Sequence, residues 1–156
     1  VGEDVDATDY YTLGKYYQAA GQALAKDTLP EVVTKKIELY KKADAAYEVV
    51  TERLPENYLG YFMRANVNAL LDPDLKLGLA KPFYEKTLEV IAANGEMDQR
   101  KSIVITGYLY LAICNYFHFA DTKNVESKAK ALEYCQKYQE LNPDNENINA
   151  IFDEIK

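Results

Sequence analysis

The residues able to do chemistry are few and far apart. One histidine, His118, stands between Phe117 and Phe119. A catalytic triad or a metal centre needs partners at defined geometry, and no further histidine or suitably spaced cysteine supplies them. His118 therefore reads as a packed or half-exposed member of an aromatic stretch. The two cysteines, Cys114 and Cys135, lie 21 positions apart and form no C-x-x-C or metal-ligand spacing. They read as small buried hydrophobes. A disulfide between them stays open, because it depends on a Cα separation that sequence does not state.

Carboxylates are plentiful but ordered as surface rows. Glu48, Glu52 and Glu56 make one such row, and Glu85 and Glu89 another. The seven glycines are scattered, and none forms a phosphate-binding G-x-G-x-x-G. Lys35, Lys36, Lys41 and Lys42 form a basic spot, but Glu31, Glu38 and Glu48 surround it, as on an ordinary helix surface. The pattern points to a non-catalytic protein with no cofactor, no metal and no nucleic-acid partner.

The elements that carry these residues are helices. Tyr10, Leu13, Tyr17, Ala20 and Leu24 recur in steps of three or four, which places them on one helical face. Ile37, Tyr40, Ala43, Tyr47, Val50 and Leu54 repeat the rhythm, as do Leu132, Cys135, Tyr138 and Leu141. Breaks fall at Asp27–Pro30, Leu54–Asn57, Asp72-Pro73-Asp74, Ala93-Asn94-Gly95, Asp121–Asn124 and Asn142–Asn145. The spacing predicts seven helices, at roughly 8–25, 30–54, 57–71, 77–94, 97–120, 124–141 and 144–156. Short connections make consecutive helices antiparallel neighbours. The one short strand candidate, Ile103–Thr106, runs straight on into an apolar stretch, and length favours a helix there.

Two segments read almost alike. Residues 40–57 and 128–145 both carry a small Ala, a core residue four later, another three later, and a Pro five after that. Ala80, Tyr84 and Thr87 give a weaker third copy. The pattern resembles the tetratricopeptide repeat, a 34-residue helix–turn–helix unit. Tyr10, Leu13, Gly14 and Tyr17 match its first helix. Tyr61 and Ala65 match in a second copy, with Arg64 and Asn68 departing. Tyr108, Leu111 and Ala112 match in a third, with Asn115 departing. Ala43, Tyr47 and Pro55, then Ala80 and Tyr84, then Ala131 and Pro143 supply the second helices.

The resemblance covers about residues 8–145 and implies an all-α, right-handed α-solenoid of about three antiparallel helix pairs with a C-terminal capping helix. One domain, 1–156, would hold repeats at roughly 8–57, 58–95 and 97–143 and a cap at 144–156. Close contacts are implied between Gly14 and Ala43, Ala65 and Ala80, and Ala112 and Ala131. About 17 extra residues in the first repeat and about seven in the third imply longer helices. Pro82 implies a late start to the fourth helix, near Gly78 to Lys81.

The resemblance also implies a concave face lined by first-helix residues outside the repeat packing. These are Tyr11 and Lys15; Leu59, Phe62, Met63, Asn66 and Leu70; and Leu109, Tyr110, Ile113, Tyr116 and Phe117. Apolar, aromatic-rich surfaces of this kind mark binding sites. The competing reading puts Tyr116 and Phe117 in the core or the last helix across the groove. The positions where some family members hold a terminal carboxylate carry Tyr11, Lys15, Met63, Thr106 and Tyr110. Lys15 is the one basic residue among them, which argues against that mode. The expected function is a protein-interaction module holding a peptide or helical segment. The alternative is self-association or docking within a longer chain. An enzyme or small-molecule binder is the weakest reading.

Composition sets the frame. The 156 residues are 48% apolar, enough for one cored domain. No unbroken apolar run approaches the ~20 residues that span a bilayer, so no direct membrane insertion is expected. The chain opens on Val1-Gly2-Glu3-Asp4, without an initiator Met or signal-peptide pattern, which reads as a cut end and leaves the compartment open. The formal net charge of −7 is concentrated at the ends: −4 in residues 1–9 and −4 in residues 140–156, against +1 in the body between them. A nearly neutral body points to a partner held by apolar contact.

Overall fold

The computed structural model describes residues 6–156. It contains seven helices among them and no strand: α1 (Ala7–Ala23), α2 (Pro30–Arg53), α3 (Tyr58–Leu71), α4 (Lys81–Ala93), α5 (Lys101–Thr122), α6 (Val125–Leu141) and α7 (Glu146–Ile155). Glu3 and Asp4, part of the acidic N-terminal segment, lie outside the described residues.

The helix starts follow local chemistry. Asp6 accepts from the Thr8 and Asp9 amides while Asp9 accepts from the Asp6 amide, a reciprocal cap on α1. Asn57, Asn124 and Asn145 cap α3, α6 and α7 with their side-chain oxygens. Pro30 opens α2, where its missing N–H costs nothing.

α5 starts at Lys101 rather than 97, and α4 starts at Lys81 rather than 77, at the end of the Gly78 to Lys81 range that Pro82 implies. The buried Asp72 carboxylate explains the α4 start. It accepts from the backbone amides of Lys76, Leu77, Gly78 and Leu79, and so holds residues 72–80 as a loop. Gly78 (φ +64°) and Leu75 (φ +56°) take the left-handed conformation this loop requires. Residues 103–106, the strand candidate, lie inside α5.

Each helix packs chiefly on its neighbours in sequence, and α7 also reaches back to α5. Such packing is the arrangement of a helical-repeat array. Two apolar clusters result. The smaller joins Tyr40, Ala43 and Tyr47 of α2 to Val67 of α3. The larger runs from Ala65 through α4, α5 and α6 to Ile148 of α7.

α5 bears on the membrane expectation. Its 22 residues have the length and apolar composition of a bilayer-crossing helix, which a count of unbroken apolar runs missed. In the fold it is the central helix of the larger cluster, with Val104, Leu111, Ala112 and Cys114 buried against its neighbours.

The close contact at Gly14 also differs from expectation. The atoms nearest to it belong to the Tyr47 ring, not to Ala43. Gly21 lies against the Tyr40 ring in the same way. Two glycines seven apart on α1 thus receive two tyrosines seven apart on α2.

Candidate interaction surface

α1, α3 and α5 carry the twelve expected groove residues, and the fold sorts them into three settings. In α1, Tyr11 leans on Tyr47 with ring centroids 6.1 Å apart, and the Lys15 ammonium lies 5.5 Å over the Tyr11 ring. Leu59, at the start of α3, shares a cavity of about 220 Å³ with Tyr11, Val50 and Leu54. Met63 packs against the smaller cluster.

The second setting is an aromatic run across three helices. Phe62 of α3 meets Tyr84 of α4 at 6.4 Å, and Tyr84 meets Tyr110 of α5 at 4.7 Å. Tyr84 donates its hydroxyl proton to Asn66 Oδ1 at 3.0 Å, which orients the middle ring. Leu109 and Ile113 pack beside this run on the larger cluster.

The third setting is exposed. Leu70 is 37% exposed and Phe117 49%. Tyr116 stacks near Phe117 and donates to Glu154 Oε2 at 2.8 Å. α7 therefore touches this face at Tyr116, while Phe117 remains open.

Burial sets the protonation states. It pushes the Tyr84 phenol up to about 12, and it raises Tyr110 as well, with neighbouring Cys114 adding to the effect. It pushes the Cys135 thiol up to about 11 and raises Cys114, against which Lys81 pulls only in part. These groups are neutral at ordinary pH and supply neither a thiolate nor a phenolate. Both cysteines are free and buried. Among the described residues no group of three His, Cys, Asp or Glu side chains could hold a metal ion.

The residues that break the repeat pattern are the ones that build its polar contacts. Arg64 donates to both Asp44 oxygens at 3.0 Å and meets Glu48 at 3.0 Å, with its guanidinium 4.4 Å from the Phe83 ring. Asn68 donates to the same Asp44 at 2.8 Å. Asn115, 1% exposed, accepts from Lys81 Nζ at 3.0 Å and donates to the Leu111 carbonyl. Glu48, expected in a solvated row, is thus held by α3. Sequence reading marked Arg64, Asn68 and Asn115 as departures, and departure was the signal; their partners were not visible from spacing.

With this geometry in hand the chain can be compared with solved structures. It is similar to the C-terminal part of a TPR repeat-containing protein from Cytophaga hutchinsonii. Identity is 30% and the TM-score 0.59, over 93% of this chain and 59% of that one. The fold is that of a tetratricopeptide-repeat array.

No protein-family model matches the chain, and no curated protein matches it. The irregularities of this TPR-like array are consistent with that. Its first pair is longer than the repeat pattern expects, and Arg64, Asn68 and Asn115 replace residues the pattern expects. The substituted polar groups find partners within the array, Arg64 and Asn68 on α2 and Asn115 on α4, so the backbone can keep the TPR-like arrangement.

Proposed function

We propose that this chain is a non-catalytic protein-interaction scaffold that holds a peptide or helical segment against the α1–α3–α5 face. The observation that carries the reading is that half-buried Phe62 and Tyr110, joined through the buried Tyr84 ring, lie on the same helices as the exposed Leu70 and Phe117. Aromatic side chains give large contact areas at low entropic cost and dominate interface energetics.

The test is partner capture from the native cell. Phe62→Ser/Tyr110→Ser removes both ends of the run and is expected to abolish capture. Because both residues also pack on the core, a second variant, Leu70→Ser/Phe117→Ser, changes only exposed side chains. Its melting temperature is expected to match the wild type while capture falls. Unchanged capture by this second variant overturns the reading.

Self-association is the alternative that a specific observation favours. Leu13 and Tyr16 of α1 are 41% and 69% exposed, and α1 packs chiefly on α2. Light scattering at rising concentration separates the two, since a strict monomer removes the alternative.

A further inference from the structure

Loop 72–80 and the C-terminal half of α5 enclose a two-part cleft that the aromatic run does not use. One part, the Lys81 chamber of about 190 Å³, has Gly78, Lys81, Cys114, Asn115 and His118 in its lining. The second part, about 340 Å³, adds Asp74, Phe117 and Asp121. Leu75, Lys76 and His118 line both, so the two parts adjoin.

The Lys81 chamber has two ammonium groups, Lys76 and Lys81, and no acidic side chain in its lining, although the charges of Asp72 and Glu85 reach Cys114 in its wall. Lys81 Nζ is held by Asn115 Oδ1, a neutral acceptor, and no carboxylate lies within ion-pair distance of it among the described residues. An ammonium has three protons to donate, and this bond uses one. Asp72, in the loop, has its oxygens occupied by four backbone amides. His118 shares its Nδ1 with Ser127 Oγ at 2.6 Å, which anchors the ring at the chamber wall. A cavity of ~150 Å³ admits a benzene-sized group, so this chamber has room for a carboxylate on a short stem.

The second part has the opposite sign. Asp74 and Asp121 face one cation, Lys76, whose ammonium is 3.9 Å from Asp74 in an exposed pair that contributes little. Asp121 has no basic partner among the described residues. An apolar edge flanks both parts, with Leu77 74% and Phe117 49% exposed. The Asp72 bonds hold the loop in shape before any partner arrives, which lowers the entropic cost of binding.

We propose that this cleft reads charge on the partner segment, taking an acidic side chain into the Lys81 chamber and a basic side chain of the same segment against Asp74 and Asp121. The proposal rests on the interaction reading above and extends it, since Phe117 belongs to both surfaces. It adds a polarity to a face that is otherwise apolar: reversing the segment reverses the charges and removes the fit.

Blocked hexapeptides test it, each with one Glu and one Lys separated by about one to three residues in a Leu/Ser background. Matched versions replace Glu by Gln or reverse the order. Binding is followed by NMR at the Asn115 side-chain amide and the His118 ring. In one order at one spacing, the Glu peptide is expected to bind the unaltered protein about tenfold more tightly than its Gln version, the scale of one charge-assisted bond. Lys81→Met is expected to erase the Glu preference, and Asp121→Asn to weaken the preference for order. Equal binding of Glu and Gln peptides to the unaltered protein, or an unmoved Asn115 amide, overturns the proposal whatever the variants do. If that happens while Leu70→Ser/Phe117→Ser still abolishes partner capture, the interaction reading stands and the cleft reading alone falls.

Discussion

In the first helix pair, the residues of α1 that are fully shielded are two glycines, and tyrosines of α2 fill the space above them. In α5 seven residues of mixed type are buried, from Val104 to Asn115, and helices on several sides share the contact. The first pair is joined by rigid rings laid on bare backbone. The C-terminal body is joined by aliphatic side chains as well as rings, and there the neighbour of Gly107 is a leucine that can adjust. Both exclude water, but they tolerate change differently. A ring against a glycine has no rotamer that makes room, whereas a leucine against a glycine has several.

The same substitution in the two regions separates them most sharply. A methyl group added at Gly14 would lie 2.7 Å from Tyr47 Cδ1, and Tyr47 is wholly buried with its hydroxyl bonded to Gln18. Gly14→Ala is therefore expected to destabilise by about 3 kcal/mol in chemical denaturation, the upper range for overpacking. A loss below about 1 kcal/mol would show that the first pair adjusts as easily as the rest.

The seam between the regions comes next. Arg64→Met keeps the stem over Phe83 but leaves Asp44 with one side-chain donor, Asn68, and Glu48 without its partner. A loss of about 2 kcal/mol is expected, in the range for hydrogen bonds to charged groups. Arg64→Lys is expected to recover less than half, because an ammonium cannot bond both Asp44 oxygens as the fork does.

Alkali probes the C-terminal body, where both cysteines sit. Burial raises the Cys135 thiol from 9.0 to about 11 in the folded chain. A raised folded value means the stability is fully present below pH 9 and is lost as pH rises through about 11. By pH 10 the expected loss is about 1 kcal/mol. Cys114→Ala/Cys135→Ala should flatten the stability profile between pH 9 and pH 10. An unchanged slope in that variant would assign the loss to the tyrosines instead.

The smallest effect completes the comparison. A methyl at Gly107 would sit 3.2 Å from Leu88 Cδ2, tight but against a side chain that can turn. The gain of up to ~1 kcal/mol from replacing a mid-helix glycine offsets the crowding. Gly107→Ala is expected to change stability by less than about 1 kcal/mol. A loss as large as that at Gly14 would erase the distinction between the two regions.

Much of this was legible before any coordinates. The apolar steps of three and four, the proline and asparagine breaks and the short connections located all seven helices within a few residues. Those signals are local, so spacing carries them. The start of α4 was less clear, because Asp72 acts on amides up to seven residues ahead through a fold of the loop. The candidate face was legible as a set of side chains on three helices, but not as a set of environments. Periodicity does not say that Met63 turns into the smaller cluster, that Phe62 joins a run with Tyr84 and Tyr110, or that Leu70 and Phe117 stay open.

By itself the sequence determined the class, the helix order and the pairing of neighbours, because helix formation and antiparallel packing across short loops depend on residues near one another in the chain. Tertiary structure decided which ring lies on which glycine, how Arg64, Asn68 and Asn115 are satisfied, and where charge is left unanswered. Those outcomes depend on which side chains meet across helices, with partners 20 residues apart for Arg64 and Asp44 and 34 for Lys81 and Asn115. At such separations the fold alone sets the distance.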